Sequence, residues 1–223
     1  MNDNSQSSTA VGSPAGEPLK IKVAVKPLFS TWIYTCPQGP FHLNERLEEL
    51  TQRLRQDERN SVRRTNAGGW HYAFDFFKLQ EAVVDEFRGY LAQHVQTFIN
   101  HFRTDDRKKK DKFKLEGWIN VNRPGDFNVR HCHPGCFISA TYYVKVPANM
   151  KGGEIVFHDP RGPAVAMYET PGIDLPWVGT GAGIPFTPAT GMLILFPSWL
   201  EHRVEAFQGD GERISIAFNA TNP

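Results

Sequence analysis

The first half of the chain carries apolar residues at helical spacing in two places. The first stripe consists of Leu43, Leu47, Leu50 and Leu54, which lie on one face of a helix with Asn44 as its expected N-cap. The second stripe lies within residues 77–103 and comprises Val83, Phe87, Tyr90, Leu91, Val95, Phe98 and Phe102. The pattern therefore predicts two amphipathic helices within residues 43–103, separated by a loop around Gly68–Gly69.

From Trp118 onward, the pattern changes to short β-type segments separated by glycine and proline. These segments are WINVNRPG, FISATYYVKVP, GGEIVFHDP, GMLILFPSWL and ERISIAFNA. Short strands with turn residues between them are typical of a sandwich or barrel, so we predict a mainly β fold with flanking helices, α+β overall. Residues 161–190 combine many glycines and prolines with little periodicity, and a loop of that length is typical of a lid or pocket wall.

The N-terminal stretch differs from the rest of the chain. Residues 1–18 are rich in Ser, Gly, Pro and Asn and nearly lack large apolar groups, so we expect a disordered tail. Residues 20–33 predict one or two strands broken at Pro27. Residues 19–223 then form a single domain, with helical support over 43–103 and a β-core over 116–220.

Composition restricts the classes of partner and the compartment. The formal net charge is +1, which gives no electrostatic reason to expect nucleic acid or a membrane surface as partner. The sequence contains no apolar run long enough for a membrane span and no secretory signal at its start. Its cysteines are odd in number, namely Cys36, Cys132 and Cys136, so we expect no disulfide framework and a reducing, cytoplasmic location.

A histidine pair is the first sign of chemistry. His131 and His133 are two residues apart, which in a strand places both imidazoles on the same face. The best third ligand is His202, directly after a strongly β-type run. Three protein ligands on one side of a metal ion leave its other positions open, as redox iron or catalytic zinc requires.

A basic residue follows the last of these histidines. Arg213 stands eleven residues beyond His202, and Ser215 lies two further on, hence on the same face of the same strand. An arginine can hold a carboxylate in a bidentate fork, and a serine hydroxyl can add a donor. The order therefore suits a di-acid that chelates the metal at one end and is held by Arg213 at the other.

The segment 116–219 resembles the double-stranded β-helix (jelly-roll, cupin-like) of the 2-oxoglutarate/Fe(II) oxygenases. Prolyl 4-hydroxylase-type enzymes carry Y-x-x-G, H-x-D, a tyrosine-bearing strand, GG-x-x-x-F and a distal histidine followed by a basic residue. Here the corresponding features are Asn122 and Gly125, then HCH, TYYV, GGEIVF, GMLILFP, His202 and Arg213. The chain resembles still more closely a bacterial and phage group of 2-oxoglutarate oxygenases, through HCHPGC, SATYYV, HDPR, FPSWLEH, RISIAFN and the upstream GGWH.

The resemblance implies roles residue by residue. His131 and His202 correspond to the two histidine ligands of Fe(II), and Arg213, assisted by Ser215, to the anchor of the distal carboxylate of 2-oxoglutarate. Tyr143 stands where related enzymes place a tyrosine that reaches the same carboxylate. The resemblance also places Asn122, or Asn120, next to the co-substrate. The implied cofactors are Fe(II), 2-oxoglutarate and O2.

The third ligand departs from the family pattern, because His133 stands where prolyl hydroxylases have a carboxylate. Two histidines and one carboxylate are the usual ligands of non-haem Fe(II) oxygenases, and three neutral imidazoles leave the ion with one more unit of positive charge. We expect His133 to be the third ligand. The rival is Asp159 in FHDPR, and if neither binds, the open position could accept a halide, as in related halogenases.

The resemblance implies a dioxygenase that hydroxylates a C–H bond of a small-molecule or peptide substrate, with release of succinate and CO2. One alternative is a non-catalytic, cupin-like metal-binding protein, since a fold alone does not give a function. Another is a hydrolytic zinc site, for which three histidines are common ligands. The sequence identifies no primary substrate, and it leaves open whether the protein is a homodimer.

Overall fold

A computed structural model of the chain describes residues 10–11, 19–20, 23–24, 30–104, 111–162 and 183–222. The chain divides into two compact units, Met1–Thr31 and Trp32–Pro223. In the first unit, β1 (Ala10–Val11) pairs antiparallel with β2 (Leu19–Lys20). At those two residues the predicted disordered tail is therefore paired, and the rest of that tail lies outside the described residues.

The second unit begins with the two predicted helices, α1 (Phe41–Arg55) and α2 (Ala82–His101). The leucine spacing and the second apolar stripe are thus confirmed as helix faces. The predicted N-cap is wrong, because the helix starts three residues earlier, after Pro40. Asn44 lies inside α1 and is buried, and its side-chain oxygen accepts a hydrogen bond from the hydroxyl of Tyr142 at 2.6 Å.

Thirteen strands of the described chain belong to this unit, as the change of pattern at Trp118 predicts for its second part. They are β3 (Tyr34–Cys36), β4 (Asn66–Ala67), β5 (Trp70–His71), β6 (Lys114–Asn122), β7 (Phe127–His131), β8 (Ile138–Lys145), β9 (Lys151–Gly152), β10 (Ile155–Phe157), β11 (Ile184–Phe186), β12 (Leu193–Pro197), β13 (His202–Val204), β14 (Phe207–Gln208) and β15 (Arg213–Thr221). Short turns of 3-10 helix occur at Glu58–Asn60 and Phe76–Lys78.

These strands form two main antiparallel sheets. The larger sheet has the order β3-β12-β8-β15-β6-β5, and the smaller has the order β11-β10-β13-β7-β4. A separate two-stranded ribbon joins β14 to β9. In the larger sheet, seven of the eight residues of β8 and the first four residues of β15 are buried in unbroken runs rather than at alternate positions, which indicates that both faces of this sheet are covered there.

The helices cover one face of the larger sheet. A continuous core joins Leu47 of α1 and Phe87 and Leu91 of α2 to Tyr142 of β8 and Ile216 of β15. A second cluster contains Tyr143 of β8 together with side chains of the smaller sheet, among them Ile155 and Phe157 of β10. The other face of the larger sheet is therefore directed toward the smaller sheet, and the site described below lies between the two.

The structure bears differently on two of the predictions from sequence, the lid and the absence of a membrane span. Residues 163–182, which make up most of the predicted lid, lie outside the described residues. Within the described part of the chain, no helix is both long and apolar enough to cross a membrane.

Candidate active site

Three histidines converge between the two sheets. His131 ends β7, His202 begins the neighbouring β13 and is its register partner, and His133 follows two residues after His131. One ring nitrogen of each histidine lies within 4.8 Å of those of the other two. The structure therefore brings together the three residues that the sequence predicts as metal ligands.

Hydrogen bonds fix the orientation of each imidazole through Nδ1. His131 donates to the carbonyl of Val129 at 2.6 Å, and His202 donates to the carbonyl of Leu200 at 3.0 Å. Nδ1 of His133 donates to the side-chain oxygen of Asn219 at 3.0 Å. Because these acceptors require the proton on Nδ1, the lone pair of each ring is left on Nε2, the arrangement common in protein metal sites.

Burial keeps these rings neutral. Desolvation is the largest cause in each case, and it lowers the pKa of His133 to about 4 and that of His202 to about 3, while the pKa of His131 is also lowered. Neutral imidazole is the form that binds a metal ion. Nε2 of His133 is fully enclosed and has no hydrogen-bond partner among the described residues. Coordination of a metal ion by this nitrogen would explain why it lacks one. The donor set thus fits a divalent transition metal.

The histidines open onto a cavity of about 510 Å³ that Arg213, Ser215 and Tyr143 also line. Arg213 is only 2% exposed, and burial lowers its pKa. Its Nη1 donates to the carbonyl of Gly153 at 2.8 Å, and its Nη2 donates to the side-chain oxygen of Asn122 at 2.9 Å. Among the described residues no carboxylate lies in direct contact with Arg213, although the charge of Asp126 acts on it from a greater distance, and its Nε has no hydrogen-bond partner.

A buried guanidinium with no anion in direct contact is costly, and its stability improves when an anion binds. Because Arg213 lines the cavity, the cavity gives such an anion a place to bind beside the guanidinium. The second glycine of GGEIVF helps to hold the guanidinium. Gly153 has φ +78°, and a Cβ there would come within 3.2 Å of Nη1 of Arg213, so this position favours glycine.

The other predicted co-substrate residues fall into two groups. Tyr143 and Ser215 are register partners on β8 and β15, both are buried, and both line the cavity. Burial raises the pKa of Tyr143 to about 12, so its hydroxyl stays protonated and can donate. Asn122 is not among the lining residues; it lies opposite Arg213 and orients the guanidinium.

The rival third ligand lies elsewhere. Asp159 accepts hydrogen bonds from the backbone nitrogen and from Nε and Nη2 of Arg161, at 2.7–3.0 Å. The hydrogen bonds to Arg161 hold the pKa of this carboxyl below its usual value. Asp159 belongs neither to the histidine cluster nor to the cavity wall.

Three residues of the site carry no role in the sequence-based prediction. Asn219 receives the hydrogen bond of His133, Trp118 stacks on the His133 ring at 5.5 Å, and His71 stacks on Trp118 at 5.9 Å. Asn219 ends the RISIAFN motif and His71 ends GGWH, so both lie in the matching segments. Their positions in those motifs indicate that both residues belong to the site, but only the folded structure shows what they contact.

Comparisons with known proteins bear on the family resemblance and on the fold. Residues 116–219 match the family described as "Putative 2OG-Fe(II) oxygenase". A prolyl-4-hydroxylase from Pseudomonas putida is similar in structure, with a TM-score of 0.60 and 18% identity over 87% of this chain and 94% of that one. HygX from Streptomyces hygroscopicus, solved with nickel and 2-oxoglutarate bound, gives a TM-score of 0.57 and 13% identity over 86% and 83% of the two chains. A search of curated proteins found no match.

The sequence of the β-core, residues 116–219, is therefore similar to that of the 2-oxoglutarate/Fe(II) oxygenase family. The structural neighbours confirm the predicted double-stranded β-helix with two flanking helices. At identities of 18% and 13%, they bear on the fold alone.

Proposed function

We propose that the protein is an Fe(II)- and 2-oxoglutarate-dependent dioxygenase that hydroxylates a C–H bond of a small-molecule or peptide substrate and releases succinate and CO2. The observation that carries the proposal is the position of Arg213. A buried arginine without a carboxylate partner among the described residues lines the same cavity as three histidines whose Nε2 atoms are free for a metal. A di-acid that chelates the metal would satisfy both groups at once.

The histidines His131, His133 and His202 would hold the iron, which in its 2-oxoglutarate complex supplies activation of O2. The chain itself contributes position and environment. Arg213 and the hydroxyls of Ser215 and Tyr143 would bind the distal carboxylate and so fix the orientation of the co-substrate. Because these side chains are buried, water competes poorly with the co-substrate for their hydrogen bonds.

The identity of the three metal ligands also sets the net charge of the complex of metal and co-substrate. Three imidazoles carry no negative charge, so the metal and the dianionic co-substrate together are neutral, whereas a carboxylate ligand would leave one negative charge. Arg213 is then a buried positive charge in the same cavity as this neutral complex. We therefore expect co-substrate affinity to depend strongly on this one side chain.

Two other functions fit the same metal ligands. A cupin-like protein that binds metal without turnover, or a hydrolytic zinc site, would use the three histidines but would have no use for a buried, unpaired arginine beside them. The position of Arg213 favours the oxygenase over both.

The test is an anaerobic titration of the purified protein with Fe(II) and then 2-oxoglutarate. We expect a weak visible metal-to-ligand charge-transfer band in the wild type. In Arg213→Ala the concentration of 2-oxoglutarate needed to form the band should rise at least about hundredfold, as for loss of a buried charge-assisted pair. Arg59→Ala is the matched control, because Arg59 is exposed and its ion-pair partner among the described residues is Asp57.

A wild-type protein that binds the metal but forms no band would contradict the proposal and favour the zinc or non-catalytic function. Turnover gives a second criterion. His202→Ala should abolish 2-oxoglutarate-dependent succinate formation, and His158→Ala, which changes a histidine outside the cluster, should retain it.

A further inference from the structure

His71 is a buried histidine of the same cavity that the proposed chemistry does not use. It lies on β5, the edge strand of the larger sheet, where its register partner is Asn120 on β6. The residue is 6% exposed, lines the cavity, and is not part of the metal-ligand cluster. A polar ring in this position, between the sheets and away from the metal, requires an explanation of its own.

The hydrogen bond of His71 decides what its free nitrogen can do. Nδ1 lies 2.9 Å from the side-chain oxygen of Asn120, which can only accept, so the proton is on Nδ1. Burial is the main reason why the pKa of His71 is lowered to about 4. The ring is therefore neutral at neutral pH, and its Nε2 presents a lone pair.

That lone pair is unused within the protein. Nε2 has no hydrogen-bond partner among the described residues, and unlike Nε2 of His133 it is not fully enclosed. Because it can only accept, it is unsuited to 2-oxoglutarate, whose carboxylates and keto group are acceptors as well. The group that it suits is a hydrogen-bond donor on the other reactant.

Ring stacking fixes the place of this acceptor relative to the metal. His71 stacks on Trp118 with an interplanar angle of 26°, and Trp118 stacks on the ligand His133 with an angle of 16°. Together with the bond to Asn120, this stack restricts rotation of the His71 ring. The acceptor therefore stands at a set position, one indole ring away from a metal ligand.

The surroundings narrow the class of donor. Arg64 also lines the cavity, and its charge adds to the lowering of the pKa of His71, so an ammonium group at Nε2 would be disfavoured too. Tyr72 and Phe74 also line the cavity, with ring centroids 5.7 Å apart. The cavity thus offers aromatic surface in addition to this acceptor, and the fitting donor is an uncharged hydroxyl or amide N–H.

We infer that His71 is a substrate-positioning residue: its Nε2 accepts a hydrogen bond from a hydroxyl or amide N–H of the primary substrate and so selects the C–H bond that faces the metal. This inference rests on the proposed function. It restricts the substrate to molecules with an uncharged donor group next to an apolar or aromatic part.

The experiment uses pairs of probes in which methylation removes the donor, benzyl alcohol with benzyl methyl ether and benzamide with N,N-dimethylbenzamide; the added methyl groups are present equally in the tests of wild type and variants. Their dissociation constants are measured by ligand-observed NMR on protein loaded with Zn(II) and 2-oxoglutarate, so that no turnover occurs. We expect the donor member to bind about five- to tenfold more tightly in the wild type, as for one hydrogen bond in a buried site. In His71→Phe, which keeps an aromatic ring on Trp118, that preference should vanish, and in His71→Gln, which restores an acceptor oxygen, it should return in part.

The variants distinguish a failure of the inference about His71 from a failure of the proposed function. The Fe(II)·2-oxoglutarate band should be the same in His71→Phe as in the wild type, which also shows that the variant is folded. His94→Phe, a change remote from the cavity, should retain the donor preference. Equal or absent binding of both members of each pair to the wild type would overturn the inference, as would a preference that persists in His71→Phe or loss of the band in that variant. No band in the wild type would instead count against the proposed function, and the inference would fall with it.

Discussion

Asn122 lies directly opposite Arg213 on the neighbouring antiparallel strand, and its side-chain oxygen accepts a hydrogen bond from Nη2 of that arginine at 2.9 Å. The sequence resemblance places Asn122 next to the co-substrate. In the structure it contacts the arginine that would bind the co-substrate, so its influence on binding would be exerted through the guanidinium. The carbonyl of Gly153 holds the other end of the same group.

Removal of this contact should weaken co-substrate binding without affecting the metal. In Asn122→Ala, we expect the dissociation constant of 2-oxoglutarate to rise about five- to tenfold, because the guanidinium loses one of its two fixed acceptors. Anaerobic titration of the Fe(II)-loaded protein measures this, with Asn149→Ala, a change in an exposed side chain, as control. A loss as large as that in Arg213→Ala would show instead that Asn122 binds the co-substrate itself.

The metal affinity should depend on Asn219. Its side-chain oxygen accepts hydrogen bonds both from Nδ1 of His133, at 3.0 Å, and from the hydroxyl of Ser139, at 2.8 Å. Loss of such a supporting contact typically lowers metal affinity by about 10- to 100-fold, which we expect for Asn219→Ala in competitive Zn(II) titrations. Ser139→Ala removes the other partner of the same oxygen and should change the affinity by about threefold or less. Equal effects of the two variants would mean that Asn219 does not act through His133.

The parts of the fold that the sequence predicts are those encoded by local pattern. The leucine spacing of α1 specifies a helix face, and the β-type segments after Trp118 specify strands, because in both cases neighbouring residues carry the information. The His131–His133 pair is likewise a local pattern, and the structure brings it together with His202.

The parts that were missed depend on contacts between distant residues. Asn122 and Arg213 are 91 positions apart, His133 and Asn219 are 86 apart, and His71 and Asn120 are 49 apart. Strand register makes the first and third of these pairs neighbours, whereas His133 follows the last residue of β7 and meets Asn219 of β15 across the space between the two sheets. Neither relationship can be derived from local pattern in a single sequence. The wrong N-cap has the same cause, because Asn44 is engaged by Tyr142 from the sheet rather than by the start of its own helix.

This last contact leads to a stability prediction. The hydroxyl of Tyr142 donates to Asn44 in a fully buried position, and Nδ2 of Asn44 has no partner. Tyr142→Phe would leave the whole amide unpaired, so we expect the free energy of unfolding in urea to fall by about 1–3 kcal/mol. The double variant Tyr142→Phe/Asn44→Leu removes the unpaired amide and should recover part of that loss.

Tyr90→Phe is the matched control for this cycle. Within the described parts of the chain, the one hydrogen bond of its hydroxyl is the weak one to Sγ of Cys36 at 3.9 Å, so this substitution should cost less than about 1 kcal/mol. Additive effects of the Tyr142 and Asn44 substitutions would contradict the proposed coupling.

The buried histidines make the stability of the metal-free protein depend on pH. Desolvation lowers the pKa of His202 to about 3 and those of His133 and His71 to about 4, whereas in the unfolded chain a histidine titrates near 6.5. Between these values the unfolded state binds protons that the folded state does not. The stability is therefore complete above about pH 6.5 and decreases as the pH falls toward the folded-state values.

The expected slope is up to roughly 1.4 kcal/mol per pH unit for each such histidine. Urea unfolding of the metal-free protein at pH 7, 6 and 5 measures it. His202→Leu should reduce the slope by about one histidine's share, since the residue that replaces it does not titrate. His101→Gln, a substitution at an exposed site at the end of α2, should leave the slope unchanged. A free energy of unfolding that stays constant from pH 7 to pH 5 would mean that these rings take up protons in the folded state. The histidines would then not be the neutral donors that a metal ion requires.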